Sequence, residues 1–375
     1  MQPTVSGKTV NNGMLAFTLS GVDTSIANAL RRIVLSDIEC VVFKTFPHEE
    51  NKANFIKNTT RHTNEMLKQR LSCVPIYLDV ISPYASLIVE VNVTNTSEQT
   101  LYVTTKDFKI KDKTTEIYIS ETDRDRIFPA NEITGDYIMF ARLRPGSNNR
   151  KGVGETLSFT AEMSLSTAKD DGMFSVASIS SYNNTPDSAK IDTAWNLEKT
   201  RLNANEDDRL NEAEMEMLKR NWLLLDGFRH FKSNSFDFTI EGIGAYNGDI
   251  LMSRACDVML KKVELLNHEI QTKTVKINKS VTTMENSYDL VLKNEDYTLG
   301  KVIEYILHMN YYQGEQLITF CGFKKYHPHD VDSVIRIAFK NDEDMSNIHD
   351  YIISVCNQAT QIYEKIKTNF NDTTI

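Results

Sequence analysis

Residues 23–37, DTSIANALRRIVLSD, decide how the rest of the chain is read. At helical spacing Ile26, Ala29, Leu30, Ile33 and Val34 fall on one face. Asp23, Thr24 and Ser25 offer side-chain oxygens to the unpaired amides of a first turn. Arg31 and Arg32 sit late in the helix, where positive charge suits the macrodipole. Taken alone, the stretch is an ordinary amphipathic core helix with two snorkelling arginines. Its weight comes from an echo at NEDYTLGKVIEYIL (294–307), where Leu299, Val302, Ile303 and Ile306 share one face behind Glu295 and Asp296. In that second copy Glu304 and Tyr305 occupy the late turn in place of the two arginines.

Outward from the opening helix, Met14–Leu19 reads as a strand and Cys40–Phe46 as another, closed by Pro47. Residues 48–60 are polar and read as a loop, and Asn64–Leu71 (NEMLKQRL) as a short helix stopped before Pro75. From Ile76 to about Ser181, alternation in LIVEVNV (87–93), TLYVTT (100–105), EIYIS (116–120), YIMFARL (137–143) and LSFTAEMSL (157–165) predicts a mainly β module. Turn-rich segments such as RPGSNNRKGVGE (144–155) separate these strands. Asn205–Asn221 is densely charged, with Leu210, Met217 and Leu218 as sparse anchors, and reads as an exposed helix. Phe236–Ile243 (FDFTIEGI) alternates strictly, as a strand does. Thr272–Thr283 reads as a linker or weak strand, and Tyr288–Leu292, 317–323 and 334–339 as strands.

Two long helices carry matched stripes. One begins near Asp249, with Met252, Cys256, Met259, Val263, Leu266 and Ile270 spaced 4, 3, 4, 3, 4. The other runs from about Asp344 to Phe370 and repeats that spacing in Ile348, Ile352, Val355, Ala359, Ile362 and Ile366. Such a seam suits a helix packed lengthwise on another helix. The two stripes fit one another, although each could lie on its own sheet instead. The pattern predicts an α+β chain holding two copies of one sheet-plus-seam-helix unit in tandem, an intramolecular pseudo-dimer. The first unit (1–46 and 183–275) is interrupted by a mainly β insertion (47–182), and the second covers 276–375.

Chemistry is sparse. A net charge of −9 argues against a nucleic-acid platform over the whole surface. Lys106, Lys109, Lys111 and Lys113 read as solvated charges on a strand-and-turn segment. No apolar run reaches the roughly 18–20 residues of a membrane span, and the N-terminus lacks the pattern of a signal peptide. The expected location is therefore cytoplasmic or nuclear, without secretion. Five dispersed cysteines fit reduced, buried thiols better than disulfides or zinc ligands. His327 and His329 form the one close histidine pair, in a loop with Pro328, and read as solvated rather than metal-binding. Gly152 and Gly154 lack the Gly-Lys-Ser ending of a phosphate loop, and no HExxH or G-x-S-x-G occurs. The acidic runs at 205–208 and 341–344 look like solvated faces, so no catalytic residues are expected.

Several stretches carry a specific resemblance. DTSIANALRRIVLSDIECVVF (23–43) resembles the first helix and following strand of α-type subunits of multisubunit RNA polymerases. NEMLKQRLSCVPI (64–76), LRPG (143–146), KDDGMFSVASISSY (169–182) and FDFTIEGIG (236–244) are similar to the third-largest eukaryotic subunit and its archaeal D counterpart. NEDYTLGKVIEYIL and FCGFKKYHPHDVDSVIRI (320–337) resemble the small eleventh eukaryotic subunit, archaeal L. The resemblance implies a fusion of the two subunits that form the α-like heterodimer, an arrangement found in large DNA viruses of eukaryotes. It implies a non-catalytic assembly platform for the largest and second-largest subunits, with tenth- and twelfth-subunit-like small partners. No sequence-specific nucleic-acid binding, membrane association or homo-oligomer is expected. A viral source would place the chain in the cytoplasmic factory and the virion, and any other source in the nucleus.

Carried over residue by residue, Arg31 and Arg32 are the expected docking pair for the second-largest subunit, with Glu65 and Arg70 as weaker candidates. Asp296, Thr298, Leu299 and Gly300 match the helix-start motif, and Tyr297 stands where the family has histidine. The third-subunit family often carries a cysteine cluster for zinc or iron–sulfur. The insertion here has Cys73 alone, so neither cofactor is expected. The competing reading is a stand-alone structural or virion scaffold that keeps the fold without the polymerase.

Overall fold

A computed structural model describes residues 1–146, 154–202, 211–280 and 284–370. They form two compact units. The first comprises Met1–Arg32, Ser180–Ile240 and Cys256–Phe370; the second comprises Ile33–Ile179 and Glu241–Ala255. Among the described residues no helix is long and apolar enough to cross a membrane.

In the first unit, strands β1 (Thr4–Asn11), β2 (Met14–Ser20), β11 (Ala177–Pro186) and β12 (Phe231–Gly242) form a sheet in the order β1-β2-β12-β11. A second sheet takes β13 (Ile277–Lys279), β14 (Ser287–Leu292), β15 (Ile318–Lys324) and β16 (Ser333–Phe339) in the order β13-β14-β16-β15. The two orders are one pattern. β1, β2, β11 and β12 correspond in turn to β13, β14, β15 and β16. Helix α1 (Thr24–Ser36) follows β2 as α7 (Tyr297–Leu307) follows β14. Helix α6 (Gly248–Gln271) follows β12 as α8 (Met345–Lys367) follows β16. The fold is thus α+β, with the sheet-and-helix unit present twice.

The reasons are local. In β2, Leu15, Phe17 and Leu19 turn inward at the two-residue period of a strand. Phe17 stacks on Phe238 at 5.1 Å and meets the edge of Phe370 at 5.1 Å. The β1–β2 hairpin turns at Asn12 and Gly13, both at positive φ (50° and 79°), as a tight primed turn requires. β1 itself escapes sequence reading because it is exposed almost throughout and has no buried face to print an alternation.

The second unit is built on a sheet of β4 (Ala53–Asn58), β9 (Thr156–Glu162), β5 (Leu87–Thr94) and β7 (Lys109–Asp112) in that order. Beside it run the pairs β6 (Leu101–Thr104) with β8 (Met139–Leu143) and β3 (Cys40–Val42) with β10 (Ser164–Ser166). Phe108 is the hub of its core and meets Phe128, Phe140 and Phe159 edge-on, 5.4–5.9 Å between centroids. Helices α2 (Asn64–Ser72) and α3 (Glu121–Ile127) complete the unit.

Several expectations are corrected here. The strand at Cys40–Phe46 stops at Val42, because the Phe43 carbonyl accepts the Ser72 hydroxyl at 2.8 Å instead of a ladder bond. Residues 48–60 are not all loop. β4 is an edge strand whose exposed polar positions hide the inward Ala53 and the partly buried Phe55. EIYIS (116–120) makes a single bridge, Lys111 to Tyr118, and no strand. LSFTAEMSL divides at buried Met163 into β9 and β10, which belong to different sheets. The helix expected over 205–221 is observed as α5 (Glu212–Leu224), capped by Asn211; residues 205–210 lie outside the described residues. An additional helix, α4 (Ser188–Leu202), precedes it.

Candidate functional site

The start of α7 is where the two sheet-and-helix halves of the first unit meet. Asp296 has extended backbone and caps the helix, its Oδ1 accepting the Thr298 amide at 2.8 Å. Its other oxygen, Oδ2, accepts from the Arg32 Nη2 at 2.6 Å, while Arg32 Nε donates to the Thr298 hydroxyl at 2.9 Å. One guanidinium edge therefore spans two residues of the helix start, a use of the planar fork that a lysine cannot copy. Arg32 and Asp296 are 36% and 32% exposed in their side chains. One residue earlier, Glu295 receives Lys262 of α6 at 3.0 Å, and that pair is only 17% and 16% exposed. Two cations from the first half thus hold adjacent carboxylates of the second.

The first half has a matching helix start. Asp23 caps α1 as Asp296 caps α7, its Oδ2 accepting the Ser25 amide at 2.7 Å. Counting from each cap, Ser25 corresponds to Thr298 and Arg32 to Tyr305. Arg32 reaches the Asp296 cap, and at the matching position of α7 burial first, then the Asp23 charge, push the Tyr305 phenol pKa up. Matching caps and matching positions in the two halves are what a two-fold arrangement of like units provides. Here both partners lie on one chain.

The long helices follow the same symmetry. Lys367 donates to Asp257 at 2.8 Å, and Asn267 to Asn357 at 3.3 Å. Ten residues of advance on α6 equal ten of retreat on α8, so the two run antiparallel. All twelve seam residues, from Met252 to Ile270 and from Ile348 to Ile366, are buried. Tyr363 is fully buried beside Cys256, and burial, then that thiol, drives its pKa well up. Among the described residues its hydroxyl has no hydrogen-bond partner. Gly300 serves packing of another kind. A Cβ there would lie 2.1 Å from the Phe323 ring, which packs edge-on against Tyr297 at 4.9 Å.

The sequence profile of the RNA polymerase Rpb3/Rpb11 dimerisation domain matches residues 16–263, more than half of the chain. The chain belongs to this family. The match runs from β2 into α6 and stops before the second sheet. A curated relative, the DNA-directed RNA polymerases I and III subunit rpac1 of Dictyostelium discoideum, is 32% identical over 148 residues. That match takes in 35% of this chain and 40% of the relative's length.

Within this Rpb3/Rpb11-type fold the expected docking residues part company. Arg32 was expected at a partner subunit, yet its guanidinium is engaged by the chain's own Asp296 and Thr298. Arg31 is half-buried, its Nε donating to Asn28 Oδ1 at 3.0 Å, and its carbonyl accepts the Ser180 hydroxyl at 3.2 Å. Arg70 turns onto β8, donating to the carbonyls of Phe140 and Met139 at 2.9 Å each, and so ties α2 to that strand. Glu65 is exposed in the first turn of α2, behind the Thr63 cap. Lys262 and Glu295 escaped the sequence reading as a pair. The available signal was a lysine flanking seam residue Val263 and an acid beside the Asp296 cap.

Burial pushes the thiols of Cys40, Cys321 and Cys356 up to about 12, which leaves them protonated and unreactive near neutrality. Cys73 is exposed. Among the described residues no three His, Cys, Asp or Glu side chains gather as metal ligands. The His327 and His329 rings lie 5.0 Å apart, and His327 Nδ1 accepts the His329 amide at 3.1 Å.

Proposed function

We propose that the protein is a non-catalytic assembly subunit of a DNA-dependent RNA polymerase, a fused α-like pair on which the largest and second-largest subunits dock. The observation that carries the reading is the Arg32 bond to the Asp296 cap, which ties two halves of the same sheet order to one another. In this reading the two halves stand for the third-largest and eleventh subunits, and α6 with α8 forms the dimer seam. Burying the matched stripes joins both sheets into one stiff platform whose halves differ in charge at the late turn of α1 and α7. Arg31, not committed to an ion pair across the halves, is the remaining basic candidate for the second-largest subunit. Tenth- and twelfth-subunit-like small proteins complete the partner set. Neither zinc nor iron–sulfur is part of the subunit, and the lean toward a viral source, with factory and virion location, rests on the fused architecture alone.

The test is affinity purification of the tagged full-length chain from its native cells under mild salt. The reading expects both large polymerase subunits in one-to-one yield, and reduced yield of the second-largest one from Arg31→Glu. A chain recovered without polymerase subunits overturns it in favour of a stand-alone scaffold.

A further inference from the structure

The helical hairpin of α4 and α5, set between β11 and β12, has no counterpart in the second half, where β15 leads to β16 through a short loop. Trp195 anchors it, 5.5 Å from Trp222, which in turn stacks on His230 at 6.0 Å. Yet α5 is 13 residues long and buries none of them fully. A helix of that length is marginal by itself in water, at about 12–15 residues, unless an apolar face is covered. Its apolar residues instead face solvent. Met217 is 67% exposed, Leu224 60%, Leu225 71% and the following Phe228 63%. Beside them, on α4, Leu197 is 70% exposed and borders a shallow groove of about 380 Å³ with Ala194 and His230. Surfaces of this kind mark interaction sites.

Charge selects the occupant. Lys219 and Arg220 lie one turn below Leu223 and Leu224 on the same faces, and Arg229 and Lys232 flank Phe228. Asp226, which pairs with Arg229 at 3.3 Å, is the one acid in that stretch of a chain whose net charge is −9. The other end of α5 is acidic, with Glu212, Glu214 and Glu216. That acidic end disfavours an anionic membrane surface, which needs one basic face throughout. It also disfavours a second copy. A two-fold register that sets Glu216 against Lys219 places Leu224 opposite Asn211, the cap before the helix. Leu225 and Phe228 are then carried past the end of the opposing helix.

We infer that the Met217–Phe228 ridge docks an acidic amphipathic helix of a partner protein, its leucine-type face on Leu224, Leu225 and Phe228 and its carboxylates toward Lys219, Arg220 and Arg229. This surface is independent of the platform reading and adds a binding site to it.

The probe is a synthetic helical peptide with leucine on one face and glutamate elsewhere, titrated onto the full-length chain by fluorescence anisotropy. Its counterpart carries lysine at every glutamate. The inference expects the acidic peptide to bind at least about tenfold more tightly than the basic one, weakening as salt is raised. It expects a similar loss in Leu224→Ser/Leu225→Ser/Phe228→Ser and in Lys219→Glu/Arg220→Glu, whose exposed positions leave thermal unfolding unchanged. Equal affinity for both peptides, or no binding, overturns it. So does a dimer that the triple variant abolishes, or flotation of the chain with phosphatidylserine vesicles, each of which assigns the ridge to a different occupant.

Discussion

Arg32 is worth more as a fork than as a charge. Two of its bonds reach a cap carboxylate and a hydroxyl in the first turn of α7, so truncation removes both contacts to the helix start. With both side chains about a third exposed, Arg32→Ala is expected to lower unfolding stability by about 1–2 kcal/mol, after allowance for solvent screening. Asp296→Ala also removes the helix cap and should cost more, and the double variant should cost less than the sum. Urea melts of the three variants check this; additive losses refute the coupling. At Gly300 the Phe323 ring leaves no room for a methyl. Gly300→Ala is expected to destabilise by about 1–3 kcal/mol although alanine is the better helix former, and a raised melting temperature refutes the close packing. The buried thiols give a pH signature. Their pKa values rise from 9.0 when unfolded to about 12 in the fold. The stability they contribute is complete below pH 9.0 and is lost as pH climbs toward about 12. Rapid native alkylation at neutral pH should modify Cys73 alone, as mass spectrometry of peptides can show.

At the scale of elements, two side-chain bonds join α6 and α8. Each buries a continuous apolar stripe, and Lys367–Asp257 and Asn267–Asn357 fix the antiparallel register. In the proposed pairing α8 covers the α6 stripe, so a chain ending at residue 275 is expected to self-associate or precipitate. A soluble monomer on size-exclusion chromatography refutes the pairing. These helices were legible because a stripe spaced 4, 3, 4, 3, 4 survives in sequence when one face is buried along its whole length. The α1 cap was legible for a similar reason, since Asp23 acts on its own next turn. What stayed hidden depends on distant chain. β1 and β4 offer little buried face, so their polar residues conceal strands made by neighbours. The bond from Arg32, a docking candidate by resemblance, to Asp296 was hidden because the two lie 264 residues apart in sequence. The bonds of Arg70 to the carbonyls of β8 were hidden likewise, as nothing near it in sequence announces that strand.

At the scale of the molecule, the first unit contains the same sheet order twice, with capped helices joined by the Arg32–Asp296 bond. In the proposed reading one chain supplies both halves of the pair, and the connection need carry no structure of its own beyond joining Gln271 to Ile277. The family match from 16 to 263 secures the first half, while the second rests on the repeated topology. Separate expression removes the covalent link and leaves the contacts to act alone. The most direct measurement is therefore to co-express 1–275 and 276–375 as two chains with a tag on the shorter one. The account predicts a stable one-to-one complex that Arg32→Glu weakens and that Asp296→Arg restores in the swapped pair. Recovery of the tagged piece alone, or as its own homodimer, contradicts it.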